Sequence, residues 1–266
     1  MFNVEGSTSK TSLQDIRKIA IQTISDRLKQ LDVNEERQNA SIAWIDEVFK
    51  NSQALVEDES LELPAPDPIE LPKEICAYTV QSIIRILTSL TDPHDNSLYF
   101  LNDIGQALGI QPKEMRNLLD KEFDKLRLEF TLQLKEELSE EKIYWCALIL
   151  MKIICADGKI HPAEKTYFTV ITELIKGTEY SLESLEKTSQ NITELPNLEL
   201  SQQSARAMLK YVVTIAMCDG EYVGQESEFI TQAAASLGIE ASQIDGILQP
   251  VASSFMVLES LFPRKT

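Results

Sequence analysis

Two stretches of this 266-residue chain carry residue types at a spacing that could do chemistry. Asp157-Gly158-x-Ile160 is followed by Glu164, and Asp219-Gly220-x-Tyr222 is followed by Glu226. Shifting the numbering by 62 carries Asp157, Gly158 and Glu164 onto Asp219, Gly220 and Glu226 without a gap. Flanking apolar positions match too: Leu150 with Val212, Met151 with Val213, Ile153 with Ile215 and Ile175 with Leu237. Such an ungapped internal repeat marks one supersecondary unit used twice. Each aspartate falls in the last turn of an apolar helix pattern, where the helix dipole disfavours negative charge by about 0.3–1 kcal/mol. Each glutamate falls in the first turn of the next helix, where the dipole favours it. Two wrong-way aspartates, each seven residues before a glutamate, call for a compensating cation. Carboxylate oxygens suit a hard divalent ion, Ca²⁺ or Mg²⁺, with loop carbonyls and water completing the shell. The spacing is not that of an EF-hand. His161 reads as an N-cap before Pro162 rather than a ligand, and Lys159 against Glu221 makes the second pair the better site.

The elements that must position these pairs are helices. Apolar residues Leu13, Ile16, Ile19, Ala20, Ile24, Leu28 and Leu31 recur at helical spacing, and a second helix follows over about 35–56. Residues 57–74 hold four prolines and seven acids, which excludes helix and predicts an extended linker or a strap along the surface. Helical pattern resumes at 75–91 and again at 111–138, with Ser139 capping the helix that leads to Asp157. A short helix over 180–190, a loop over 191–200, a cap at Ser201 and a last helix over about 241–261 complete the chain. No run alternates with period two, so the predicted class is all-α. The expected divisions are an N-terminal helical region (1–56), the linker (57–74), a helical region with a degenerate repeat (75–138) and a helical domain (139–262).

That degenerate repeat rests on Gly105, Gly109, Ile110, Met115 and Leu118, which reappear as Ala234, Gly238, Ile239, Ile244 and Ile247. In it the loop reads as two residues shorter, with Pro93 replacing the glycine and Ser97 standing where the glutamate belongs. The same spacing resembles a DNA-reading helix-turn-helix. However, a formal charge of −17 repels phosphate backbones, which supply most non-specific DNA affinity. The charge favours cations or basic partners instead. The four cysteines show no C-x-x-C spacing and read as reduced core thiols of a cytoplasmic protein. No apolar run is long enough to span a bilayer, and no secretory signal opens the chain.

The two Asp-Gly…Glu units, each set before a helix, and the Leu237-Gly238-Ile239 turn resemble the TerB domain of tellurite-resistance proteins. They also resemble the N-terminal domain of a membrane-anchored DnaJ-type co-chaperone. The resemblance covers about 139–250, with the echo at 75–119. It implies a helical bundle of two pseudo-symmetric helix-loop-helix halves, with Asp157, Glu164, Asp219 and Glu226 as a divalent-cation site. It further implies protein partners in a membrane-associated stress or defence complex in the cytoplasm. Residues 1–74 lie outside it.

The function expected is therefore a non-enzymatic, cation-binding helical adaptor. Its rivals are an interaction module without metal, a metal-dependent hydrolase using the same carboxylates, and the helix-turn-helix reading. Two histidines, no nucleophile motif and no glycine-rich phosphate loop weigh against the hydrolase.

Overall fold

Local signals place most helix ends. A computed structural model describes residues 13–31, 33–88, 94–156, 160, 164, 167–218 and 224–263. Among them are eleven helices and no strand. They are α1 (Leu13–Gln30), α2 (Glu35–Glu57), α3 (Lys73–Leu87), α4 (Asp95–Ala107), α5 (Pro112–Glu137) and α6 (Glu140–Ile154). Then follow α7 (Tyr167–Ile175), α8 (Leu182–Asn191), α9 (Gln202–Met217), α10 (Gly224–Ser236) and α11 (Ala241–Leu261). Ser139 caps α6 by accepting from the Lys142 N–H, and Ser201 caps α9 by accepting from the Ser204 N–H at 3.1 Å. Each satisfies a donor that the helix start leaves without a partner. No described helix is long and apolar enough to cross a membrane.

The described residues form two compact units: one within 13–124 and 253–263, the other within 125–252. The boundaries fall inside α5 and inside α11. In the first unit α3 packs against α1, α2 and α4, and its isoleucines 75, 83, 84 and 86 are fully buried. Burying such side chains stabilises by about 1.5–3 kcal/mol each. In the second unit α6 is the apolar centre, in contact with α7, α8, α9 and α10.

The helices follow one another in the same register in both units. Helices α3, α4 and α5 begin at 73, 95 and 112, and α9, α10 and α11 begin at 202, 224 and 241, a constant shift of 129. All nine buried positions of α3 map by that shift onto buried positions of α9. Ile83 falls on Val212, Ile86 on Ile215 and, less obviously, Thr79 on Met208. Helix α1 shifted by 129 lies over α6, and α2 lies over the span holding α7 and the start of α8. The register also extends to the turns after α4 and α10. Gly109 has φ +65° and Gly238 φ +74°, the left-handed conformation that glycine enters without steric cost. Ile110 donates to Gly105 and Ile239 to Ala234, both at 2.8 Å, the six-to-one bond that closes a helix end.

This register corrects two expectations. Helix α3 ends at Leu87, not at 91, with the Thr88 N–H and hydroxyl both donating to the Ile84 carbonyl. The connection after α3 is also not two residues shorter than the one after α9. Asp92, Pro93 and Asp219, on which the residue-by-residue match of the two loops rests, lie outside the described residues.

Residues 58–72 run without helix across α2 and α4 as a strap. The Trp44 indole N–H donates to the Asp67 carbonyl at 2.8 Å, and Ile69 donates its N–H to Ala107 at 2.9 Å. Asn96 donates to the Glu59 carbonyl at 2.9 Å, and Arg37 pairs with Glu70 at 2.7 Å.

Candidate functional site

Of the four carboxylates singled out by the sequence, Glu164 and Glu226 are described. Asp157 and Asp219 lie outside the described residues, as do Gly158, Lys159, His161, Pro162, Gly220, Glu221 and Tyr222. Glu226 is the third residue of α10, and Glu164 is helical three residues before α7 begins. Both were expected in a first helical turn, where an acid is normally solvated. Instead each is only 4% exposed, the same value at two positions 62 apart. Burying an ionised carboxylate carries a large desolvation cost unless positive charge or donors meet it. Each of the two glutamates takes part in an interaction within the fold. A helix start offers partial positive charge and free N–H groups, which offset part of that cost.

The end of α6 supplies the opposite polarity. Its last carbonyls carry the negative end of the helix dipole, which favours a cation. Cys155 sits there as C-cap, its N–H shared between the Met151 and Ile153 carbonyls. Its thiol is pushed up by burial first. Glu186 and Glu164 add to the rise, while Ser189 and Lys152 oppose it. The Glu164 charge is therefore felt at the end of α6, two residues before Asp157 in sequence. Helix α9 has its C-cap at Cys218, whose N–H donates to the Ile215 carbonyl, one residue before Asp219, with Glu226 at the start of the following helix. Ile160, three residues after Asp157, is half-buried.

The equivalent place in the first unit has different chemistry. Ser97 takes the Glu226 position and is fully buried. Its hydroxyl lies 2.9 Å from Nε2 of His94, which is 3.2 Å from the Leu55 carbonyl. A hydroxyl and an imidazole thus contact one another where the second unit has a carboxylate. The Ser97–His94 contact is no nucleophile–base pair, because a fully buried hydroxyl cannot meet a substrate.

Among the described residues no three of His, Cys, Asp and Glu gather in a metal-holding group. Each described glutamate would be one ligand of a set whose aspartate is not described. Two buried charges escaped the sequence reading. Glu122 is fully buried and paired with Arg85, and Arg116 bridges Asp120 and Glu259. Arg116 lies within the degenerate repeat, between Met115 and Leu118, and the Arg85–Glu122 and Arg116–Glu259 pairs join elements far apart in sequence. No protein-family model, curated protein or solved structure gives a significant match to the chain.

Proposed function

We propose that the chain is a TerB-like, divalent-cation-binding helical adaptor that works by docking other proteins, in a cytoplasmic stress-response or defence complex. The observation that carries the reading is the burial of Glu164 and Glu226 at repeat-related positions. A buried acid is costly to desolvate, and the negative end of the preceding helix favours a cation. With Asp157 and Asp219 the set is carboxylate-only, which fits Ca²⁺ or Mg²⁺ better than a softer metal. Bound cation would tie the end of one helix to the start of the next and stiffen the second unit. The first unit, with Ser97 and His94 at that place, would serve as a metal-independent scaffold.

The rival reading, an interaction module without metal, is favoured by the first-turn position of Glu226, since the dipole accounts for an acid there unaided. Calorimetric titration of the metal-free protein with Ca²⁺ and with Mg²⁺ separates the two. The adaptor reading expects saturable heat with a stoichiometry of no more than two ions per chain, lost in Glu226→Gln for the second site. No saturable heat with either ion leaves the metal-free module.

A further inference from the structure

The start of α6 carries a feature that the cation site does not use. Tyr144 and Tyr180 lie with ring centroids 4.4 Å apart and planes tilted by 36°. Trp145 meets Tyr144 edge-on at 5.5 Å. All three side chains are half-exposed. Around them stand Glu140 and Glu141 in the first turn of α6 and Glu179 in the turn before Tyr180, all exposed. The Tyr180 phenol is raised by burial first and then by Glu179, Glu140, Tyr144 and Glu141, so these acids act on the same patch. The nearest cation on α6, Lys142, is committed elsewhere, donating to the Glu199 carbonyl at 3.0 Å. The dipole of α6 explains Glu140 and Glu141. It does not explain Glu179, which is outside any helix.

We propose that the Tyr144–Tyr180 pair, edged by Trp145 and ringed by Glu140, Glu141 and Glu179, docks an arginine side chain of a basic segment on a partner protein. Aromatic faces attract cations through the ring quadrupole, and neighbouring carboxylates add a second attraction. The two rings lie tilted by 36° with centroids 4.4 Å apart, too close for a quaternary ammonium to enter between them. Both tyrosines are half-exposed, and a planar guanidinium stacks on an aromatic face better than a lysine ammonium does. The chain's charge of −17 draws basic segments in at long range. The patch is at the opposite end of α6 from Cys155, about 15 Å along the helix axis. Docking there is independent of any cation near Asp157.

The test titrates the full-length chain in EDTA and low salt with acetyl-Gly-Arg-Gly-Arg-Gly-amide, following tryptophan fluorescence in a Trp44→Phe background so that Trp145 is the sole reporter. Matched peptides carry lysine or citrulline in place of arginine. The arginine peptide should quench Trp145 saturably, the lysine peptide should bind about fivefold more weakly or worse, and citrulline should not bind. Tyr180→Phe should keep affinity and Tyr180→Leu should lose about fivefold or more. Glu179→Gln lies outside the helices and keeps both rings. It should weaken binding and flatten its salt dependence. No quenching by millimolar arginine peptide overturns the proposal. So does equal binding of the arginine and lysine peptides with Tyr180→Leu unchanged, since that is diffuse charge attraction. EDTA keeps either failure separate from the cation reading.

Discussion

Leu198 donates its main-chain N–H to the Ser236 carbonyl at 2.9 Å, and 129 positions earlier Ile69 does the same to Ala107. In each case an extended segment before a helix satisfies a carbonyl in the last turn of another helix of the same unit. Such carbonyls have no intrahelical partner, and leaving one buried and unmet is costly. The proline-rich strap is therefore part of the fold of its unit. Its counterpart over 192–200 is held further by the Ser236 hydroxyl, which donates to the Pro196 carbonyl at 2.5 Å. Ser236 replaces Ala107 at this place, so the second unit has one anchor the first lacks.

Trp44 is the anchor most easily removed from the first strap. Trp44→Phe keeps an aromatic ring but loses the bond to Asp67, which should cost about 1 kcal/mol. Urea unfolding should show that loss, and limited proteolysis should cut within 58–72 faster than in the wild type. Unchanged stability with unchanged cutting would mean the strap is held without this bond.

Arg116 holds the last residues of α11 on the first unit. Its guanidinium donates to Asp120 at 2.9 Å, to Glu259 at 2.9 Å and to the Phe262 carbonyl at 2.9 Å. The arginine side chain is 4% exposed and its acids are 45% and 29% exposed, so solvent screens part of the pairing. Arg116→Met keeps the apolar stem and should cost about 2 kcal/mol. Amide exchange at Leu258–Phe262 should accelerate more than exchange in α3. Uniform acceleration through both would show a global loss and no local anchor.

The helices are legible in the sequence because their caps and breakers are local. Ser139, Ser201 and Pro263 announce where α6, α9 and α11 begin or end. The repeat of 62 was visible because residue identity survives in it. The larger repeat of 129 was only partly visible, since burial is preserved where identity is not: Ile75 stands for Ser204 and Thr79 for Met208. Glutamate burial was not readable either. First-turn acids are usually solvated, and nothing local reports which face of a new helix turns inward. Arg116 and Glu259 are 143 positions apart, so no window of sequence joins them.

Thiol chemistry should follow burial. Cys146 is fully buried and its thiol is pushed up to about 12 by desolvation, slightly opposed by Lys142. Half-exposed Cys155 is raised too, by burial first, yet remains reachable. Native protein at pH 8 should alkylate slowly at Cys155 and not at Cys146, as peptide mass mapping would show. The raised value also links to stability. The unfolded thiol ionises near 9 while the folded one stays protonated, so stability is full below pH 9 and lost as pH rises toward 12. The slope from one such group is about 1.4 kcal/mol per pH unit. Cys146→Ala should show a shallower loss over that window, and an identical slope would place the alkaline sensitivity elsewhere.

The most direct test of the account compares thermal melts of the wild type and Asp219→Asn, each in EDTA and in millimolar Ca²⁺ at matched ionic strength. The substitution keeps shape and a side-chain oxygen while removing negative charge just beyond the end of α9. Without metal the variant should match the wild type or gain up to about 1 kcal/mol. Ca²⁺ at one hundred times its dissociation constant should stabilise the wild type by about 2.7 kcal/mol, and this gain should largely vanish in the variant. A wild type indifferent to Ca²⁺, or a destabilised metal-free variant with its Ca²⁺ response intact, would contradict a cation site built on Asp219 and Glu226.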